Sequence, residues 1–82
     1  YHMLKEKIKI DNELDFNNIK NKLKSTFYNF TFNEIDGLKI ENNSSWIHIR
    51  KSNTEPIIRI YIESKNKQDS KALFEKVKRA LI

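Results

Sequence analysis

Trp46-Ile47-His48-Ile49-Arg50-Lys51-Ser52-Asn53-Thr54-Glu55-Pro56-Ile57-Ile58-Arg59-Ile60-Tyr61-Ile62-Glu63 carries two runs of alternation around a polar interval. Isoleucine falls at every second position on both sides, at 47 and 49 and then at 58, 60 and 62. That is the period of a strand with one buried face. The interval from Arg50 to Pro56 holds Ser, Asn, Thr and Pro, which tolerate or enforce tight turn geometry. The stretch therefore predicts a β-hairpin with a long tip. A hairpin symmetric about that tip sets His48 opposite Arg59 and Trp46 opposite Tyr61.

Working outward, Leu38-Lys39-Ile40-Glu41 alternates in the same way after Asp36-Gly37, a turn signal containing the one glycine of the chain. Asn42 to Ser45 reads as a polar turn, and Asn29 to Asn33 shows no clear period. At the start, Leu4, Ile8 and Ile10 alternate with Lys5, Lys7 and Lys9, interrupted by Glu6, and predict a first strand. Leu14, Phe16, Ile19, Leu23 and Phe27 recur three to four apart behind the capping candidates Asp11 and Asn12, which predicts an amphipathic helix from about Asp11 to Phe27. Beyond Ser64 to Lys67, the stripe Leu73, Phe74, Val77, Ala80 and Leu81 predicts a closing helix, with Asn66 and Asp69 at capping-box spacing.

The order strand, helix, three strands, helix predicts an α+β two-layer sandwich, its sheet mostly antiparallel and both helices on one face. Leu38, Ile40, Ile47, Ile49, Ile58, Ile60 and Ile62 form the face the helices cover. Lys39, Glu41, Trp46, His48, Arg50, Ile57, Arg59, Tyr61 and Glu63 form the other. Residues 1–82 read as a single domain, and a chain of this size buries only roughly 60 to 65% of its unfolded surface. A deep enclosed active site is not expected of it. With no cysteine, disulfides and thiolate metal sites are excluded, and no apolar stretch has the length of a membrane span. The expected compartment is the cytoplasm.

A net charge of +5 and a pI near 9.5 raise the question of a polyanionic partner. The excess is lysine spread along the chain, Lys5, Lys7, Lys9, Lys20, Lys22 and Lys24 among it, which reads as solvated faces of secondary structure. The hairpin tip is more pointed. Arg50 offers a planar fork, Ser52 and Thr54 hydroxyls, Asn53 an amide, and the turn its backbone N–H groups, a donor set suited to a phosphate. The same residue types are also the commonest turn formers, and Arg50 at a strand end is equally a solvated charge. No nucleophile, general base or metal-ligand set stands out. Ser52 lacks an activating partner by spacing, and His48 lacks a second ligand.

The ordered run Arg-x-Ser-Asn-Thr-Glu-Pro at 50–56, with Asp36-Gly37-Leu38-Lys39-Ile40 and Trp46-Ile47-His48-Ile49 before it and Ile57 to Glu63 after, resembles the C-terminal domain of the α-D-phosphohexomutases. The resemblance runs from about Lys5 to Leu81. It implies a TATA-binding-protein-like fold and a place as the last of four domains around one cleft, with a hexose phosphate and the other three domains as partners. It implies no nucleic acid and no membrane. By motif position, Arg50, Ser52, Asn53 and Thr54 bind the substrate phosphate. Arg59 matches an arginine that some members add, and Glu55 and Pro56 shape the turn.

The resemblance further implies a parent that moves a phosphoryl group between the 1 and 6 positions of a hexose, through a phosphoserine and a bisphosphorylated sugar. Its serine loop, its magnesium loop and its sugar-reading loop have no counterpart here, so this domain is expected to bind and not to catalyse, and to hold no cofactor itself. Asn53, where phosphoglucosamine mutases usually carry glycine, favours the phosphomannomutase/phosphoglucomutase branch. The competing reading is a stand-alone nucleic-acid-binding or interaction module that presents Trp46, Tyr61, Arg50 and Arg59 on the bare sheet face.

Overall fold

The computed structural model describes residues 1–10, 15–52 and 56–81. Its elements, in chain order, are β1 (His2–Lys9), α1 (Phe16–Thr26), β2 (Thr31–Asn33), β3 (Leu38–Glu41), β4 (Trp46–Lys51), β5 (Ile57–Ser64) and α2 (Lys67–Leu81). Among the described residues the strands make one antiparallel sheet in the order β1-β5-β4-β3-β2. This is the α+β sandwich that the alternation predicts, with one strand more. β2 falls within Asn29 to Asn33, where no period is legible, because three residues paired to the edge of β3 are held by the ladder and not by their own pattern.

The assignment of the covered face holds residue by residue, whereas Ile57, expected on the other face, is buried as well. Leu38, Ile40, Ile47, Ile49, Ile58, Ile60 and Ile62 are fully buried and join Ile19, Leu23 and Phe27 of the α1 stripe and Val77 of α2 in one core. Phe16, Leu73, Phe74, Ala80 and Leu81 pack around it, half-buried. α1 starts later than the periodicity suggests. Its N-cap is Asp15, in an extended conformation, whose Oδ1 accepts the Asn17 N–H at 3.1 Å. Asp11, Asn12 and Leu14 lie outside the described residues.

The start of α2 is legible in sequence. Asn66 Oδ1 accepts the Asp69 N–H at 2.8 Å, satisfying one of the donors a helix N-terminus leaves bare. Two serines secure the same corner. Ser64 and Ser70 are both buried with their hydroxyls 2.5 Å apart, and Ser70 Oγ donates to the His2 carbonyl at 3.2 Å. The end of β5, the first turn of α2 and the start of β1 are thereby joined, and the helices stay on one side. Among the described residues no helix covers the other face of the sheet.

Candidate functional site

β4 and β5 remain paired up to Lys51 and Ile58, beyond which the Ser52 N–H donates to the Ile57 carbonyl at 3.1 Å. On the far side, the Pro56 carbonyl accepts the Ile10 N–H at 2.8 Å. Both ends of the turn are thus anchored on regular backbone, one within the hairpin and one to the strand beside it. Asn53, Thr54 and Glu55 lie outside the described residues.

The anchoring shifts the hairpin register from the symmetric one. Arg50 and Lys51 belong to the ladder, so the loop begins at Ser52 and the pairing moves by two residues. His48 lies opposite Tyr61, not Arg59, and Trp46 opposite Glu63, not Tyr61. The correction brings the two predicted arginines together, because Arg50 and Arg59 are direct cross-strand partners on the bare face.

What aims Arg50 is the Asp36-Gly37 turn. Gly37 adopts φ +67°, and a Cβ there would overlap the Ile49 carbonyl oxygen and meet Arg50 Cγ at 3.3 Å. Only a residue without a side chain lets the turn press this closely on β4. The Asp36 carboxylate then stands 3.5 Å from Arg50 Nε, an ion pair at long range. The Asp36 carbonyl is held from the other side by His48 Nε2 at 2.6 Å. A carbonyl only accepts, so Nε2 carries the proton. With Nε near Asp36, the Arg50 side chain remains half-exposed.

The bare face is polarised. Cross-strand register places Lys7, Arg59 and Arg50 in one row at the tip end, and Lys5, Tyr61, His48, Lys39 and Asn33 in the next. The last row, Met3, Glu63, Trp46, Glu41 and Thr31, carries the carboxylates. Trp46 is engaged there: its indole N–H donates to Glu63 at 2.7 Å and Lys39 Nζ sits 5.4 Å from its ring centre. The stacking surface needed for base recognition is therefore reduced to the tilted pair His48 and Tyr61, 6.3 Å between ring centres.

Among the sequence-predicted residues, the structure brings together Arg50, Arg59 and Ser52 at the tip. Sequence reasoning does not find Asp36, Gly37 and His48 as its support. Asp36-Gly37 was legible as a turn, but His48 acts through a main-chain acceptor twelve residues away, which leaves no mark in sequence. Among the described residues no three His, Cys, Asp or Glu side chains converge to hold a metal ion. Among the described residues no helix is long and apolar enough to cross a membrane.

An antiparallel sheet with both helices on one face and its cations gathered at a hairpin tip on the other defines a two-layer domain built to present one surface. The chain belongs to the phosphoglucomutase/phosphomannomutase C-terminal domain family, whose family model matches residues 4–80. It is 38% identical over 81 residues to a probable phosphoglucosamine mutase of Pyrococcus furiosus, covering 95% of this chain and 18% of that protein. A phosphomannomutase of Methanocaldococcus jannaschii is 33% identical over 60 residues, 73% of this chain and 13% of its own length. A phosphoglucosamine/phosphogalactosamine mutase of Sulfurisphaera tokodaii is 32% identical over 81 residues, 96% of this chain and 18% of its own. The chain thus spans less than a fifth of the length of these curated relatives. Two of these names are of phosphoglucosamine mutases and one is of a phosphomannomutase, so they do not single out the branch to which Asn53 points.

Proposed function

We propose that this chain is the phosphate-gripping domain of a larger phosphohexomutase. The observation that carries the reading is the direct pairing of Arg50 with Arg59 at the hairpin tip. Like charges directly opposite destabilise a strand pair, and a bound anion between them reverses the sign of that interaction. A phosphate monoester brings roughly one and a half to two negative charges and three acceptor oxygens. Arg50 and Arg59 bond it through their planar forks, and Ser52, Asn53 and Thr54 take remaining lone pairs from the turn.

The phosphoryl transfer itself, between the 1 and 6 positions of a hexose by way of a phosphoserine and a bisphosphorylated sugar, belongs to chain beyond this domain, as does the magnesium of that reaction. Here the work is binding and orientation. As a lid, the domain adds its cations to a sugar already partly bound, excludes water, and releases the intermediate when it lifts. Asn53, within Ser52-Asn53-Thr54, favours the phosphomannomutase/phosphoglucomutase branch, while the sugar itself is read by a loop beyond this domain.

Titrating the isotope-labelled chain with glucose 6-phosphate, with glucose, and with a single-stranded oligonucleotide tests the reading. Shifts at Arg50, Ser52 and Arg59 with the phosphosugar alone, lost in Arg50→Ala, are the expected result. An equal response to unphosphorylated glucose overturns it. So does a salt-dependent response to the oligonucleotide across the whole bare face with none to the phosphosugar, which is the outcome of the nucleic-acid reading.

A further inference from the structure

We propose that the phosphate grip extends onto the edge strand, with Lys7 of β1 as its third cation; this rests on the phosphate-binding reading above. Lys7 is the register partner of Arg59, and Arg59 of Arg50, so three cations stand in line across β1, β5 and β4 on the bare face. Neighbouring strands are about 4.8 Å apart, a spacing that Lys and Arg side chains exceed, so the outer two are long enough to meet one anion held over the middle one.

The charges around this row leave it uncompensated. Among the described residues no carboxylate comes within 4.0 Å of Lys7 or Arg59, whereas Arg50 has Asp36. Glu6, next to Lys7 in sequence, is the register partner of Ile60 on the edge strand, one step out of the row of cations. Glu63 is four residues from Arg59, roughly 13 Å along the strand, and receives the Trp46 indole. Three cations less the Asp36 carboxylate leave two positive charges, the complement of a phosphate dianion. Arg50 and Arg59 alone, with Asp36 beside them, supply only half of that.

A shallow depression lies on the same spot, lined by Lys5, Glu6, Lys7, Arg59 and Tyr61, and there the Glu6 carboxylate is offset by the Lys5 ammonium, so the net charge of the row stands. Lysines on an edge strand also discourage pairing with another chain, and that role accounts for Lys5, Lys7 and Lys9 alike. Anion binding, by contrast, singles out the lysine in the arginine row. The two accounts therefore separate by experiment.

The test measures the affinity of the 82-residue chain for glucose 6-phosphate at fixed ionic strength, by amide shifts, in four variants. Lys7→Gln weakens binding about three- to tenfold, the loss of one unit charge near a dianion at a solvent-exposed site. Lys7→Arg keeps it, and Lys71→Gln, with the same change in net charge on the exposed side of α2, leaves it nearly unaltered. The β1–β5 amide shifts away from position 7 report that the sheet is intact. Equal affinities of Lys7→Gln and Lys71→Gln, with Arg50→Ala still abolishing binding, overturn the role of Lys7 and leave the phosphate reading standing. Absence of phosphosugar binding by the unmodified chain overturns both.

Discussion

Gly37→Ala tests how the turn before β3 supports the tip, because the substitution adds one methyl group where the backbone admits none. Two costs combine. An alanine at φ +67° adopts the left-handed region, which costs about 1–2 kcal/mol. Its Cβ also meets the Ile49 carbonyl oxygen, a backbone atom in the central strand β4 that has no rotamer to change, so the turn must lift away. A shift of this kind in a packed structure costs about 1–3 kcal/mol more. The sum, about 2–5 kcal/mol, is a large part of the roughly 4–12 kcal/mol that a domain of this length commands. Thermal unfolding followed by circular dichroism is expected to show a midpoint lower by at least 8 °C, at about 4–8 °C per kcal/mol. Gly37→Asn separates the two costs, since asparagine tolerates positive φ but carries the same Cβ. It should recover only a minor part of the loss. A Gly37→Ala midpoint within about 3 °C of the unmodified chain would refute the reasoning, as would full recovery by asparagine.

Ser70→Ala removes the donor to the His2 carbonyl and the neighbour of the buried Ser64 hydroxyl, at a cost of about 1–3 kcal/mol. Urea unfolding measures it, and an unchanged midpoint would mean that the corner is held by packing alone. The Glu34 carboxyl is held below its ordinary range by its hydrogen bonds to Lys24 and then Lys20, with the ammonium charges adding to the effect. A depressed folded-state value means that the unfolded chain binds more protons, so this contribution is full above the unfolded value near 4.5 and fades as pH falls through the folded one. The stability difference between the unmodified chain and Glu34→Gln should therefore shrink as unfolding is repeated from pH 6 toward pH 2.5. A constant difference across that range would contradict it.

The parts of the fold legible in sequence are those fixed by one element's own pattern. The isoleucines at 47, 49, 58, 60 and 62 declare their buried face because a strand has only two faces to choose from. The Asn66 cap is equally local, a side chain reaching three residues ahead. What escapes reading depends on a second element. β2 exists through its ladder to β3, and Asp15 rather than Asp11 or Asn12 caps α1 although all three are competent caps. The hairpin register depends on where the loop starts, and Arg50 and Lys51 have side chains as acceptable in a turn as in a strand. The candidate site divides in the same way. Its cations were named from the motif, whereas the Arg50–Arg59 alignment and the support from Asp36 and His48 arise only when four strands are in place.

The position of the cations follows from the size of the domain. An 82-residue chain spends both helices and one sheet face on a single core, so a functional surface has to be the remaining face or a loop at its rim. A bare face offers no enclosure and leaves its charges in contact with water, where each contributes little. Several cations must therefore act on one anion, and a row of register partners achieves this without a cavity, because the ladder fixes their spacing. The same exposure makes the grip readily reversible. For the proposed lid this is an asset, since a domain that bound phosphate tightly on its own would hold the intermediate when it has to turn, whereas an exposed row binds measurably but weakly by itself and gains strength when a closing partner surface removes the water.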